Sequence, residues 1–412
     1  VTTPACLHDA APAQSATATR PTVLLIVGTR PEAIKMLPVI MAFRDRGRFT
    51  PVVVSTGQHA RMVREVLALG GIRPDVEFDE LTGRRSLNGL FAHVTGEMDA
   101  WLRSTFGDAP GAAGFPVAAL VHGDTTSAAA AAVACFHAQI PVAHVEAGLR
   151  TGDTSSPFPE EMNRRLIGRI AAMHFAPTTT NLDNLLREGV TPDRVVVTGN
   201  TAIDALMWVS RLHVPYSDEH VAAATEVERT DAPVIVVTAH RRESWGEGLV
   251  NIGRGIRRIA ELYPHARIVL PLHPNPAVSE TLGGILSGVP NVLLTAPLDY
   301  AEFARLLGRA SLVITDSGGV QEEAPALGVP VLVTRETTER IEGVVAGTLE
   351  LVGTDPDAIV AAARRLLDDA ELYAERTRRV NPYGDGTAAQ RIAEACEHAL
   401  LEGCERVPAL VA

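Results

Sequence analysis

Short apolar or β-branched runs recur along most of the chain, each closed by a polar or glycine-bearing cluster and followed by a stretch of helical periodicity. The runs at 22–27, 52–56, 117–121, 142–145, 174–176 and 195–198 predict strands in the first half. Those at 234–238, 267–272, 292–295, 312–315 and 329–333 predict strands in the second. Residues 33–45, 61–69, 87–106, 127–137 and 162–171 read as helices, and 388–400 as a closing amphipathic helix. Strands alternating with helices imply parallel sheets joined by right-handed crossovers. The expected fold is therefore α/β, with a lobe over 22–199, a second over 200–386, and a flexible tail at 1–21.

The polar clusters sit just after predicted strand ends, the edge at which doubly wound sheets bind ligands. The clearest is Asp316-Ser317-Gly318-Gly319, between a buried strand and a helix start. Glycines admit close backbone approach, and the hydroxyl, free N–H groups and helix dipole favour a phosphate. Glu322 and Glu323, less than a turn further on, could accept hydrogen bonds from a ribose diol. Arg30 and Lys35 lie at or near another helix N-terminus, where cations oppose the dipole unless an anion joins them. Two facing lobes would pool Arg30, Asp124, Glu146 and Glu160 with His240, Ser317 and Arg340 in a cleft.

Asp124, Glu146 and Glu160 are carboxylates on three separate strand-end loops, which suits proton transfer at a sugar carbon. Helix capping would account for Asp124 and Glu160 but not for Glu146. A metal site is a weaker rival, since His122/Asp124 and His144/Glu146 are i, i+2 pairs on a strand, with no further cluster to complete a shell. His240, flanked by Arg241 and Arg242, reads as a phosphate-side acid or donor.

Composition narrows the class. A chain of 412 residues with 46% hydrophobic and 21% charged residues is globular and exceeds one core. The net charge of −12 argues against a nucleic-acid surface, so an anionic ligand must be held by locally placed Arg and Lys. No apolar run approaches the ~20 residues of a membrane span. The first 21 residues lack the basic start and apolar core of a secretion signal. The four cysteines form no CxxC or metal spacing, which makes a reducing cytoplasm the default.

Taken together, G-T-R-P-E-A-I-K at 28–35, H-G-D-T-T at 122–126, H-V-E-A-G-L-R-T at 144–151, S-P-F-P-E-E-M-N-R at 156–164, H-R-R-E at 240–243, T-D-S-G-G-V-Q-E-E-A-P at 315–325, T-T-E-R at 337–340 and N-P-Y-G-D-G at 381–386 resemble the bacterial non-hydrolysing UDP-N-acetylglucosamine 2-epimerases. The resemblance implies two Rossmann-like lobes of GT-B type, with the C-terminal helix, within 387–412, crossing back onto the first lobe. It implies elimination of UDP from UDP-GlcNAc to a 2-acetamidoglucal and re-addition to give UDP-ManNAc, with no metal or redox cofactor. By motif, Asp124, Glu146 and Glu160 form the acid/base set and His240 assists at the diphosphate. Arg30, Lys35 and Arg164 line the sugar-diphosphate path, Ser317, Gly318 and Gly319 hold phosphate, and Glu323 holds the ribose. Arg340 makes a further polar contact, and Phe303 lies near uracil. Homodimers are common among such proteins. Allosteric members use residues matching Gln58, Arg84 and His273. Here Arg61 and Arg85 stand where glutamines are common, and Pro274 follows His273, so the effector set is only partly retained, although the basic replacements could still hold a diphosphate. Ile341 replaces the proline usual after T-T-E-R. The competing readings are a hydrolysing epimerase, which would release ManNAc and UDP, a GT-B glycosyltransferase, and a non-catalytic nucleotide-sugar sensor.

Overall fold

The computed structural model describes residues 20–80, 86–212, 214–225 and 232–402. Most of the expected 1–21 tail thus lies outside the described residues. Two parallel sheets organise the chain. The first contains β1 (Thr22–Val27), β2 (Thr50–Ser55), β3 (Val76–Glu77), β4 (Ala118–His122), β5 (Val142–Val145), β6 (Met173–Ala176) and β7 (Val195–Val197). Their order is β3-β2-β1-β4-β5-β6-β7. The second contains β8 (Val234–Thr238), β9 (Arg267–Pro271), β10 (Val292–Thr295), β11 (Leu312–Thr315), β12 (Val331–Val333) and β13 (Leu349–Leu351), in the order β10-β9-β8-β11-β12-β13.

The continuous apolar runs are explained by burial of both sheet faces, as parallel sheets require. Along β1, Val23, Leu25 and Val27 enter one core with Met36, Ile40 and Phe43. Leu24 and Ile26 enter the opposite core with Val94, Met98 and Ala129. The alternation is the two-residue period of a strand read against two layers of helix. The alanines of the helix Thr126–His137 are all buried, which brings that helix close to the sheet.

The helix Ala388–Leu401 returns to the first sheet's side. Ile392 and Cys396 are fully buried beside Met36 and Phe43, and Arg46 holds Glu397 through two bonds of 2.7 Å. Asp204 accepts the first N–H groups of this helix, from Ala388 at 3.2 Å and Ala389 at 2.8 Å. Burial raises the Asp204 carboxyl to about 6, and the N–H donors oppose that rise. Two chain passages lie together between the sheets, where the Asn200 N–H donates to the Tyr383 carbonyl at 2.8 Å. A Cβ on Gly199 would stand 3.4 Å from Gly384 Cα, and both glycines have positive φ. Among the described residues no helix is long and apolar enough to cross a membrane.

Candidate active site between the sheets

Each candidate loop follows a strand of one sheet or the other. On the first sheet's side, Thr29 caps the helix Arg30–Arg46 in a capping box with Glu32. Glu32 is buried, and its Oε2 accepts from the N–H groups of Gly28 at 3.0 Å and Thr29 at 2.6 Å. That carboxylate offsets the cations Arg30 and Lys35 within the helix's own first turns. Lys35 Nζ donates to Glu146 Oε1 at 2.6 Å. His122 Nε2 lies 3.1 Å from Glu146 Oε2, so both carboxylate oxygens face a nitrogen. Glu146 itself has φ of 62°, an uncommon conformation for a non-glycine residue, at the turn that aims its side chain. Burial alone would raise Glu146, but Lys35, His122 and Arg164 bring it down to about 2.

Asp124 does not cap the next helix, because Thr125 does so through the Ala128 N–H at 3.0 Å. Instead Asp124 Oδ2 accepts from Arg164 Nε at 2.8 Å and lies 2.7 Å from its Nη2. Burial raises Asp124, Arg164 opposes that, and Glu146 adds to it. Arg164, expected along the ligand path, is buried and shared between Asp124 and Glu161, with Nη1 3.1 Å from Glu161 Oε2. Glu161 is fully buried and also accepts the Thr151 N–H at 3.1 Å, so it shapes the 151–159 loop. Glu160, one residue earlier, is half-buried and has no ion pair among the described residues. His144 is buried with its Nε2 2.7 Å from the Gly123 carbonyl, and among the described residues no group of three His, Cys, Asp or Glu is placed to hold a metal ion.

On the second sheet's side, Ser317 precedes the helix Gly318–Ala326 and makes no capping bond with its side chain. A Cβ on Gly318 would stand 3.0–3.1 Å from the Arg340 guanidinium, so glycine is what lets Arg340 lie against the cradle. Arg340 Nε donates to Glu322 Oε1 at 2.9 Å, and Asn200 Nδ2 to Glu322 Oε2 at 2.8 Å. Both oxygens of Glu322, expected with Glu323 near a ribose, are thus already bonded to protein side chains. Burial and the neighbouring Glu322 raise Glu323 to about 7. His240 follows β8, and its ring stacks on His273 with centroids 5.6 Å apart at 12°. Phe303 lies partly buried on the helix Tyr300–Arg309.

The two sides meet. Lys35 feels the charges of Glu146, Glu322 and Asp124, and Arg30 Nη2 lies 3.9 Å from Asp299 Oδ1, which precedes the helix Tyr300–Arg309. The expected effector residues are less gathered. Arg61 turns along its own helix to Glu65 at 2.8 Å and is largely exposed, and Arg84 lies outside the described residues. Gln58 stands just before the helix Ala60–Leu69.

Comparison with known proteins places the chain in a family. The profile of the UDP-N-acetylglucosamine 2-epimerase family matches residues 41–397. The chain belongs to that family. A Yersinia pestis UDP-N-acetylglucosamine 2-epimerase is 46% identical over 91% of this chain and 98% of its own. The crystal structure of a putative Listeria monocytogenes UDP-N-acetylglucosamine 2-epimerase superposes with a TM-score of 0.84 at 41% identity, covering 96% of this chain and all of that one. The Neisseria meningitidis UDP-GlcNAc 2-epimerase, solved bound to UDP-GlcNAc, superposes with a TM-score of 0.81 at 41% identity over 90% of this chain and 98% of its own. The chain is thus an epimerase, an isomerase-class enzyme, with the two-lobed GT-B-like fold of its family.

Proposed function

We propose that this epimerase interconverts UDP-GlcNAc and UDP-ManNAc reversibly, by elimination and re-addition of UDP. The observation that carries the reading is Lys35, which joins the Glu146–Asp124 carboxylates to the charges of the cradle that begins at Ser317. Residues 22–199 with the C-terminal helix act as the sugar-side lobe, and 200–386 as the nucleotide-side lobe. The C2 proton is not beside a carbonyl and is weakly acidic, so C1–O cleavage must lead or accompany its loss. Charge develops on the departing diphosphate, and Lys35, Arg30, Arg340, His240 and the helix start at Gly318 stabilise it there. Glu323 accepts from the ribose hydroxyls, and Phe303 packs near uracil.

Glu146 is driven down and Asp124 up. Carboxylates pushed apart in this way suit a pair in which one removes the C2 proton and the other delivers it. In the ligand-free enzyme Lys35 clamps Glu146 as a weak base. An arriving diphosphate competes for Lys35, and the released carboxylate gains basicity as the substrate binds. Glu160, unpaired at the start of its helix, completes the proton-handling set.

Proton NMR of UDP-GlcNAc with enzyme in D2O tests this reading. Deuterium at C2 of both epimers, without stoichiometric UDP release, is the expected result. Free UDP and ManNAc in equal amounts would assign the hydrolysing reaction. Adding fresh UDP-GlcNAc late in the run reports any effector response through Gln58, Arg61, Arg84 and His273. A cytoplasmic homodimer belongs to the same proposal, and sedimentation of the purified chain checks the dimer.

A further inference from the structure

The turn that ends β11 carries a carboxylate for which the reaction above has no task. Asp316 is fully buried. Its Oδ2 accepts the backbone N–H groups of His240 at 2.7 Å and Arg241 at 2.8 Å, so the loop after β8 is moulded around it. Its Oδ1 is buried with no hydrogen bond of its own among the described residues, and lies 3.3 Å from His240 Nδ1. A buried carboxylate oxygen without a donor is costly. A neutral imidazole has a single N–H, and placing it on Nδ1 satisfies that oxygen while leaving Nε2 open. The stacked His273 is set the other way. Its Nδ1 accepts the Asn275 N–H at 3.2 Å, which puts its own proton on Nε2.

We propose that Asp316 is the positioning residue of His240, holding a proton on Nδ1 so that Nε2 is the nitrogen that serves the diphosphate. This rests on the reading of His240 as the diphosphate-side group. In the forward direction the imidazolium gives its Nε2 proton to an oxygen of the departing UDP and keeps the Nδ1 proton against Asp316. In the return direction the same proton comes back to Nε2, so no proton is gained or lost over the cycle. The groups acting on the ring are Asp316, His273 from the end of β9, and Arg241 of its own loop. Burial, His273 and Arg241 disfavour the imidazolium, and Asp316 favours it.

A purely structural role, as the core of the loop, makes different predictions. Asp316→Asn keeps an oxygen for the two backbone N–H groups but turns an amide N–H toward Nδ1, which drives the ring proton to Nε2. The expected result is a fall in kcat of about 10- to 100-fold with KM for UDP-GlcNAc held within about twofold. The high-pH limb of kcat should also move down by about one pH unit. An unmoved limb, with activity lost only in step with folding stability, would overturn the proposal. A measurement on the unmodified enzyme stands beside it: with 15N-histidine labelling and His240→Asn for assignment, the neutral His240 ring is expected as the Nδ1–H tautomer, and an Nε2–H tautomer overturns the idea. His240→Asn separates the two layers of the argument. If it turns over like wild type, both the reading of His240 and this proposal fail; if it is inactive while Asp316→Asn is unshifted, this proposal alone fails.

Discussion

On the cleft wall built from the first sheet, Asp124 and Glu146 are each met by a cation before any ligand arrives: Arg164 lies on Asp124 and Lys35 on Glu146. On the opposite wall Glu323 has no ion pair among the described residues, and its carboxyl is raised to about 7 by burial and by Glu322. The ground beneath the two walls differs as well. Three histidines, His122, His144 and His174, are buried under the first wall, whereas on the second His240 lies partly open and His273 is exposed. One wall is charge-neutralised and tightly bonded, which fits the proton-handling set proposed for it. The other relies on glycines, a helix start and an unpaired acid, which suits a nucleotide that supplies its own charge.

The largest expected effect breaks the first wall. Glu146→Gln and Asp124→Asn should each lower turnover about 10²- to 10⁴-fold while UDP affinity changes little. C2 deuterium exchange and calorimetry with UDP measure the two quantities, and wild-type exchange in both variants would remove these residues from proton transfer. Acid should next separate the lobes. Burial lowers His122 to about 4, His144 to about 3 and His174 to about 4. The folded values lie below the ordinary 6.5, so the unfolded chain binds protons first. The stability these histidines contribute is full above about pH 6.5 and is lost as pH falls toward 4, by about 1.4 kcal/mol per pH unit for each. Trp101, beside the first sheet, should report unfolding at higher pH than Trp245 near the second, in single-tryptophan variants followed by fluorescence.

A smaller effect sharpens the second wall. If Glu323 accepts the ribose hydroxyls as a carboxylate, UDP affinity rises as pH increases through about 7. Glu323→Gln should flatten that dependence in titrations from pH 6 to 8, and a slope that survives the substitution assigns it to another group. The smallest concerns the cradle. Gly318→Ala places a methyl against the Arg340 guanidinium at 3.0–3.1 Å, which must then shift by a few tenths of an ångström. The KM for UDP-GlcNAc should rise about three- to tenfold with kcat nearly unchanged.

Much of this wall-by-wall arrangement was legible along the chain. Runs such as 23–27 and 234–237 declare buried parallel strands because nothing polar interrupts them, and the helices follow their caps. Strands as short as Val76–Glu77 and Leu349–Leu351 carry too few residues for any period to be read. Single strand-end motifs were legible too, but their partners were not. The motif places Arg164 on the ligand path, and nothing local announces its bonds to Asp124 and Glu161. Glu322 looked free and is held by Arg340 and Asn200. Helical phase could have singled out Glu161 over Glu160, since it stands three and four residues before Arg164 and Arg165. Nothing local announces Asp316 beneath His240, because the bond joins two different strand ends 76 residues apart.

The paired passages at Gly199–Asn200 and Tyr383–Gly384 have a mechanical consequence. A body fastened to another at two neighbouring points keeps one rotation, about the line through them, and loses the rest. Any swing of one lobe on the other at this junction would follow a single arc, and along it Lys35 would return to the same station opposite Glu322. For the elimination and re-addition proposed above, such a hinge would bring the departed nucleotide back at an unchanged distance and angle.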